Sequence, residues 1–157
     1  MWILVHGGTL TNDSLQRRRP LRYLNPQWCI MCCKSGESLD HLFLHCSVAR
    51  QLWHMVFGLG NVVWVAPKGC AQMLLFDFQT FGRSKRAKVL WSGVISAIFW
   101  VAWMERNARV FEGVVRDIDY LWDRARYLAS FWTSASSIFR GIPLFFIAAD
   151  WVSVCTV

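Results

Sequence analysis

A mainly α-helical chain, with a small cross-linked module ahead of a helical hairpin, is what three features of this sequence predict. The first is the spacing Cys29-x2-Cys32-x8-His41-x4-Cys46 near the start. The second is a stretch from Val89 to Met104 that is apolar almost throughout, and the third is the stripe Ile118, Leu121, Trp122, Ala125, Leu128, Ala129 and Trp132. An apolar helix must be buried in protein or lipid, and residues at three-and-four spacing form the face that can bury it.

Two thiolates two residues apart, with a histidine and a further cysteine arriving from a second segment, can close a tetrahedral site around Zn2+. The metal would substitute for a core that so short a region cannot build, so the expectation is a small structural-zinc module. Four protein ligands leave no open position for chemistry. The expected ligands are Cys29, Cys32, His41 and Cys46. His45 offers a rival set with Cys29, Cys32 and His41, but a ββα finger uses about twelve residues between its second cysteine and first histidine, and here there are eight. On an ideal α-helix His41 and Cys46 would lie roughly 140° apart, so non-helical backbone is expected between them. Cys33 is expected to be a free thiol.

Thr11 can cap a short helix through Leu15 that runs into Arg17-Arg18-Arg19 and stops at Pro20, with cations at its negative end. A loop or short hairpin follows from Leu24 to Cys33. Ser47 reads as the cap of a helix from Val48 to Phe57, apolar along Val48, Ala49, Leu52, Trp53 and Val56 and ended by Gly58. Residues 59–83 contain Pro67 and several glycines and are expected to be an irregular connector. Ser84 is the expected cap of the long helix, which stays apolar to Met104, turns amphipathic through Glu105-Arg106-Asn107-Ala108-Arg109 and reaches Phe111. Glu105, Arg106 and Asn107 read as a helix end with a local salt bridge. The four units are then 9–58, 59–83, 84–133 and an apolar tail, 134–157, with no assignable element.

The chain has 157 residues, 55% of them hydrophobic with ten Trp and eleven Phe, and a net charge of +7. Such a composition folds, and the charge favours a polyanion such as nucleic acid or an acidic membrane. Arg17, Arg18, Arg19 and Arg22, with Tyr23 and Trp28 interleaved, are candidates for contacting phosphates while a ring stacks on a base; they serve equally well as a solvated basic face. Four of the six cysteines crowd into eighteen residues, and the apolar run at Met1 to His6 is too short for a signal peptide. Metal-bound thiolates in a reducing compartment, cytoplasmic or nuclear, are the simpler reading. Val89 to Met104 spans about 24 Å as a helix, short of a hydrocarbon core of about 30 Å, which counts against a membrane span. Neither a P-loop nor a dinucleotide-binding glycine pattern is present. The chain is therefore not expected to be an enzyme.

Leu10 to Arg19, Trp28-Cys29-Ile30-Met31-Cys32, Glu37 to Cys46 and Leu52-Trp53 resemble the zinc-binding region downstream of the reverse transcriptase domain in plant LINE-type (non-LTR) retrotransposons. A later block, Trp100 to Phe111, is similar to the same family. The resemblance places that family's zinc ligands on Cys29, Cys32, His41 and Cys46. It implies a non-catalytic fragment of an element protein that engages nucleic acid; the basic cluster, with no recognisable base-reading helix beside it, makes that engagement of RNA or DNA independent of sequence. The alternatives are a zinc-stabilised protein-interaction module and, less favoured, a membrane-associated protein through residues 89–104.

Overall fold

The described residues of the computed structural model are Thr11, residues 28–75 and residues 79–156. Their regular structure is helical: α1 (Ser47–Leu59), α2 (Cys70–Leu75), α3 (Lys85–Asn107), α4 (Ile118–Ser134), α5 (Leu144–Ala149) and α6 (Trp151–Thr156). A π-helical turn, His41–His45, precedes α1; another, Ala108–Glu112, extends α3; a 3-10 turn, Ser137–Phe139, follows α4. The mainly α expectation holds, and among the described residues the only β pairing is an isolated antiparallel bridge between Trp28 and Gly36.

α3 is the axis of the core. Ser84 caps it as expected, its Oγ accepting from the Ala87 N–H at 3.0 Å while its hydroxyl donates to the Cys155 carbonyl at 2.8 Å. Leu90, Val94, Ile98, Phe99 and Ala102 are buried. The helix runs four residues earlier than its apolar stretch because Lys85, Arg86 and Lys88 continue it, and its last turn widens at Ala108 until Gly113, at φ +67°, ends it in the left-handed region that favours glycine. With that turn it covers Lys85–Glu112, 28 residues, which by length and composition is enough to cross a membrane. The length objection drawn from the sequence therefore does not stand. Here α1, α4 and α6 pack around the helix instead, and 56% of its most apolar window is buried within the protein.

α4 forms the second arm of the hairpin, capped by Asp117, whose carboxylate accepts from the Tyr120 N–H at 2.7 Å. Leu121, Ala125 and Ala129 of the expected stripe are buried and Ile118, Trp122 and Leu128 are half-buried, but Trp132 is exposed and Thr133 is buried in its place. The rotation has a cause at Gly93, where an added Cβ would lie 2.7 Å from Thr133 Oγ1 and 3.2 Å from the Ala129 carbonyl oxygen. The missing side chain lets the two helices approach at this point. Gly93→Val should force them apart at a cost of about 1–3 kcal/mol, as overpacked cores do. The check is the urea midpoint, and an unchanged value would mean that the hairpin does not close there.

α1 starts one residue earlier than expected, with Cys46 rather than Ser47 at its cap, and passes through Gly58 to Leu59. Gly58 stays helical; the chain turns instead at Gly60 and at Asn61, whose φ is +51°. An added Cβ on Gly60 would clash with the Thr80 carbonyl oxygen. Trp53 is wholly buried and donates its indole N–H to the Phe43 carbonyl at 2.8 Å, with the rings of Phe57, Trp91 and Phe99 around it.

Two regions differ from the sequence reading. The connector holds α2, whose first N–H, that of Cys70, donates to Asp40 Oδ1 at 2.7 Å. The tail holds α5 and α6: Arg126 donates to the Ala148 and Ala149 carbonyls at the end of α5, and Asp150 accepts from the Val152 and Ser153 N–H groups at the start of α6. Trp151 is buried and donates to Ser130 Oγ at 2.9 Å.

Candidate metal centre

The first two cysteines stand on a tight turn. The Cys29 N–H donates to the Ser35 carbonyl at 2.7 Å and the Cys33 N–H returns to the Cys29 carbonyl at 2.8 Å, just inside the Trp28–Gly36 bridge. Cys33 takes the left-handed conformation, φ +54°, that lets the chain reverse. Its side chain is exposed, away from the cluster.

His41 and Cys46 come from the second segment. Ser38 Oγ accepts from the His41 N–H at 3.1 Å, and the Cys46 N–H donates to the His41 carbonyl at 2.6 Å. That i→i+5 bond makes residues 41–45 a π turn and corrects the expectation of non-helical backbone. Widening an α turn by one residue brings residues five apart toward the same side, so the obstacle set by α-helical geometry disappears while the backbone stays helical. Leu42, Phe43 and Leu44 between them are buried. His45 turns outward, its Nε2–H donating to the Lys68 carbonyl at 3.2 Å.

The result is a cluster of Cys29, Cys32, His41 and Cys46 whose donor atoms all lie within 4.8 Å of one another. Cys29 Sγ and Cys46 Sγ are 3.8 Å apart, and Cys32 Sγ and His41 Nε2 are 3.3 Å apart. A tetrahedron with Zn–S bonds of about 2.3 Å has an S···S edge of about 3.8 Å, so the donor set fits a zinc ion in size as well as in chemistry. Cys29 and Cys46 are wholly buried; Cys32 and His41 are half-buried.

Cys29 Sγ donates to Cys46 Sγ. The hydrogen bond to Cys46, with burial behind it, pushes the Cys29 thiol well above the ordinary range, while accepting that bond holds Cys46 below it. Burial, followed by the neighbouring His45, lowers the pKa of His41 and favours its neutral form. Thiolate and neutral imidazole are the forms a metal binds.

The far end of α3 grips this module. Arg109 donates through Nη1 to the Met31 carbonyl, between the first two cysteines, at 2.9 Å, and through Nε to Glu105 Oε1 at 2.7 Å. Glu105 Oε1 also accepts from the Arg116 N–H at 3.0 Å, and Oε2 from Arg116 Nη1 at 3.3 Å. Burial pushes the Glu105 carboxyl upward, but the Arg116 N–H and the Arg109 guanidinium outweigh it and hold the group below the ordinary carboxylate range. Arg106 forms a buried pair with Glu37, Nη2 to Oε1 at 2.8 Å. The sequence reading put a local salt bridge within Glu105, Arg106 and Asn107; the structure instead pairs Glu105 with Arg109 and Arg116, and Arg106 with Glu37. Charges that interrupt an otherwise apolar helix were the available signal; their partner, 69 residues away, was not.

Arg17, Arg18, Arg19 and Arg22 lie outside the described residues. Of the cysteines beyond the cluster, Cys70 faces the Leu39 carbonyl at 3.7 Å and is pushed up by burial and by Asp40; Cys155 is pushed up to about 11 by burial.

Fold and donor set define a small Cys3His module braced by a helical hairpin. Residues 1–53 match the model of a family described as zinc-binding in reverse transcriptase, a span that contains all four donors and ends inside α1. No curated protein and no solved structure matches the chain.

Proposed function

We propose that this chain is a non-catalytic part of a LINE-type retrotransposon reverse transcriptase protein, of the kind found in plants, that binds Zn2+ and engages RNA or DNA without sequence preference. The observation that carries this reading is the closure of Cys29, Cys32, His41 and Cys46 into a zinc-sized cluster within the segment that matches the family. With four protein donors the metal would be structural, fixing the two segments relative to each other and leaving no position for a reacting water. The net charge of +7 supplies the attraction for a polyanion, and reduced thiols fit a cytoplasmic or nuclear setting. Burial of α3 against its neighbours, with Glu105 and Arg106 buried at its end, favours a protein core over lipid.

The test is binding to single-stranded RNA over a salt series, for the native chain and for a variant with Arg17, Arg18 and Arg19 changed to Ala. Each phosphate contact contributes about 0.7 to the slope through counterion release, so removing three should flatten it by about two units. Equal affinity and slope would reduce those arginines to a solvated face and favour the protein-interaction reading.

A further inference from the structure

We propose that the cleft beside the outer face of α1 is a phosphate site that takes the backbone of single-stranded nucleic acid. This deepens the reading above and rests on it. The cleft has a volume of about 370 Å³ and is lined by His45, Arg50, His54, Trp64, Val65 and Ala66. Its lining therefore offers the Arg50 guanidinium and the His54 imidazole as available donors, the His45 Nε2–H being taken by the Lys68 carbonyl, and no carboxylate. That is the donor set for an anion, and the volume falls within the range of about 300–1,000 Å³ usual for small-molecule sites.

Arg50 and His54 are four residues apart on α1, so they stand one above the other on the same face. Both are exposed, and among the described residues Arg50 has neither an ion pair nor a side-chain hydrogen bond. By contrast, the guanidinium groups of Arg106, Arg109 and Arg116 are taken up by Glu37 and Glu105. A cation that the fold leaves unpaired at the mouth of a cleft is available to a ligand.

The rest of the lining is largely apolar. Trp64 stacks on Phe57 with centroids 5.0 Å apart and an interplanar angle of 15°, and the His54 ring meets it edge-on at 5.9 Å. Val65 beside it is 82% exposed. A phosphodiester can then sit on the Arg50 guanidinium and accept from the His54 ring while a sugar or base edge rests against Val65 and the rim of Trp64, the pairing of a cation with apolar surface on which sequence-independent binding depends. His45, held by the Lys68 carbonyl, closes the end of the cleft nearest the metal module.

The experiment compares the native chain, Arg50→Ala/His54→Ala and the triple arginine variant for binding of oligouridylate and of oligothymidylate over a salt series. The expected result for the double variant is weaker binding of both, with a slope flatter by about 0.7 for each phosphate no longer held, and zinc content and melting temperature unchanged because both side chains are at the surface. In the native chain the indole N–H resonance of Trp64 and the ring resonances of His54 should shift on titration with either oligonucleotide. Native-like affinity and slope in the double variant, with those resonances unmoved while the triple arginine variant binds weakly, would overturn the site and leave the nucleic-acid reading standing. No binding by the native chain at low salt would overturn both.

Discussion

Cys46→Ser should bind no zinc and should lose the ordered structure of the turn from Cys29 to Cys33 and of the π turn at 41–45. Structural zinc sites contribute an apparent free energy of about 10–16 kcal/mol, as much as or more than the whole stability of an ordinary domain, so this is the largest effect expected of any single change. Cys46 is wholly buried, 3.8 Å from Cys29 Sγ, and it also begins α1, so its loss reaches the core as well as the metal. Metal analysis after dialysis and near-ultraviolet circular dichroism are the measurements. Cys33→Ser, at an exposed thiol outside the cluster, should retain full zinc content. Equal zinc in the native chain and in Cys46→Ser would transfer the ligand role to another residue, with His45 first in line.

The next largest effect is expected at Glu37. Removing one partner of a buried ion pair leaves the other charge uncompensated and costs about 3–5 kcal/mol, whereas replacing both by apolar residues of similar volume is often neutral. Glu37→Ala should therefore lower the stability measured in urea by that amount, and Glu37→Met with Arg106→Leu should recover most of it. Glu37 is 1% exposed and Arg106 5%, so solvent cannot take over the orphaned charge. A double variant no more stable than Glu37→Ala would mean that the pair acts through its geometry, holding the segment between the Cys29–Cys32 turn and the π turn in place, and not through charge balance.

The parts of the fold legible in the sequence are those set by local periodicity and spacing. Apolar positions three and four apart located α1 and α4, a nearly unbroken apolar run behind a serine cap located α3, and the interval between cysteines and histidine singled out the four residues that the structure brings together. What could not be read depends on groups distant along the chain. α2 is capped by Asp40, thirty residues before it, and α5 ends on Arg126, which belongs to α4. Six-residue helices have little intrinsic stability, so such partners decide whether they form. The π turn was hidden for another reason: the residues Leu42, Phe43 and Leu44 suit an α turn equally well, and only closing the cluster selects the wider one. The contact face of α4 was rotated toward Thr133 by a glycine on the facing helix, which no pattern within α4 reveals.

The grip of α3 on the cysteine turn bears on where this unit can be divided. The family match stops at residue 53, yet Glu37 inside it depends on Arg106, the Met31 carbonyl depends on Arg109, and Trp53 has Trp91 and Phe99 as ring neighbours. A polypeptide cut at that boundary would keep every donor and lose the scaffold that points them at one another. Withdrawing the metal should correspondingly be felt at the far end of the hairpin, so that heating gives one cooperative transition for both halves where independent modules would give two.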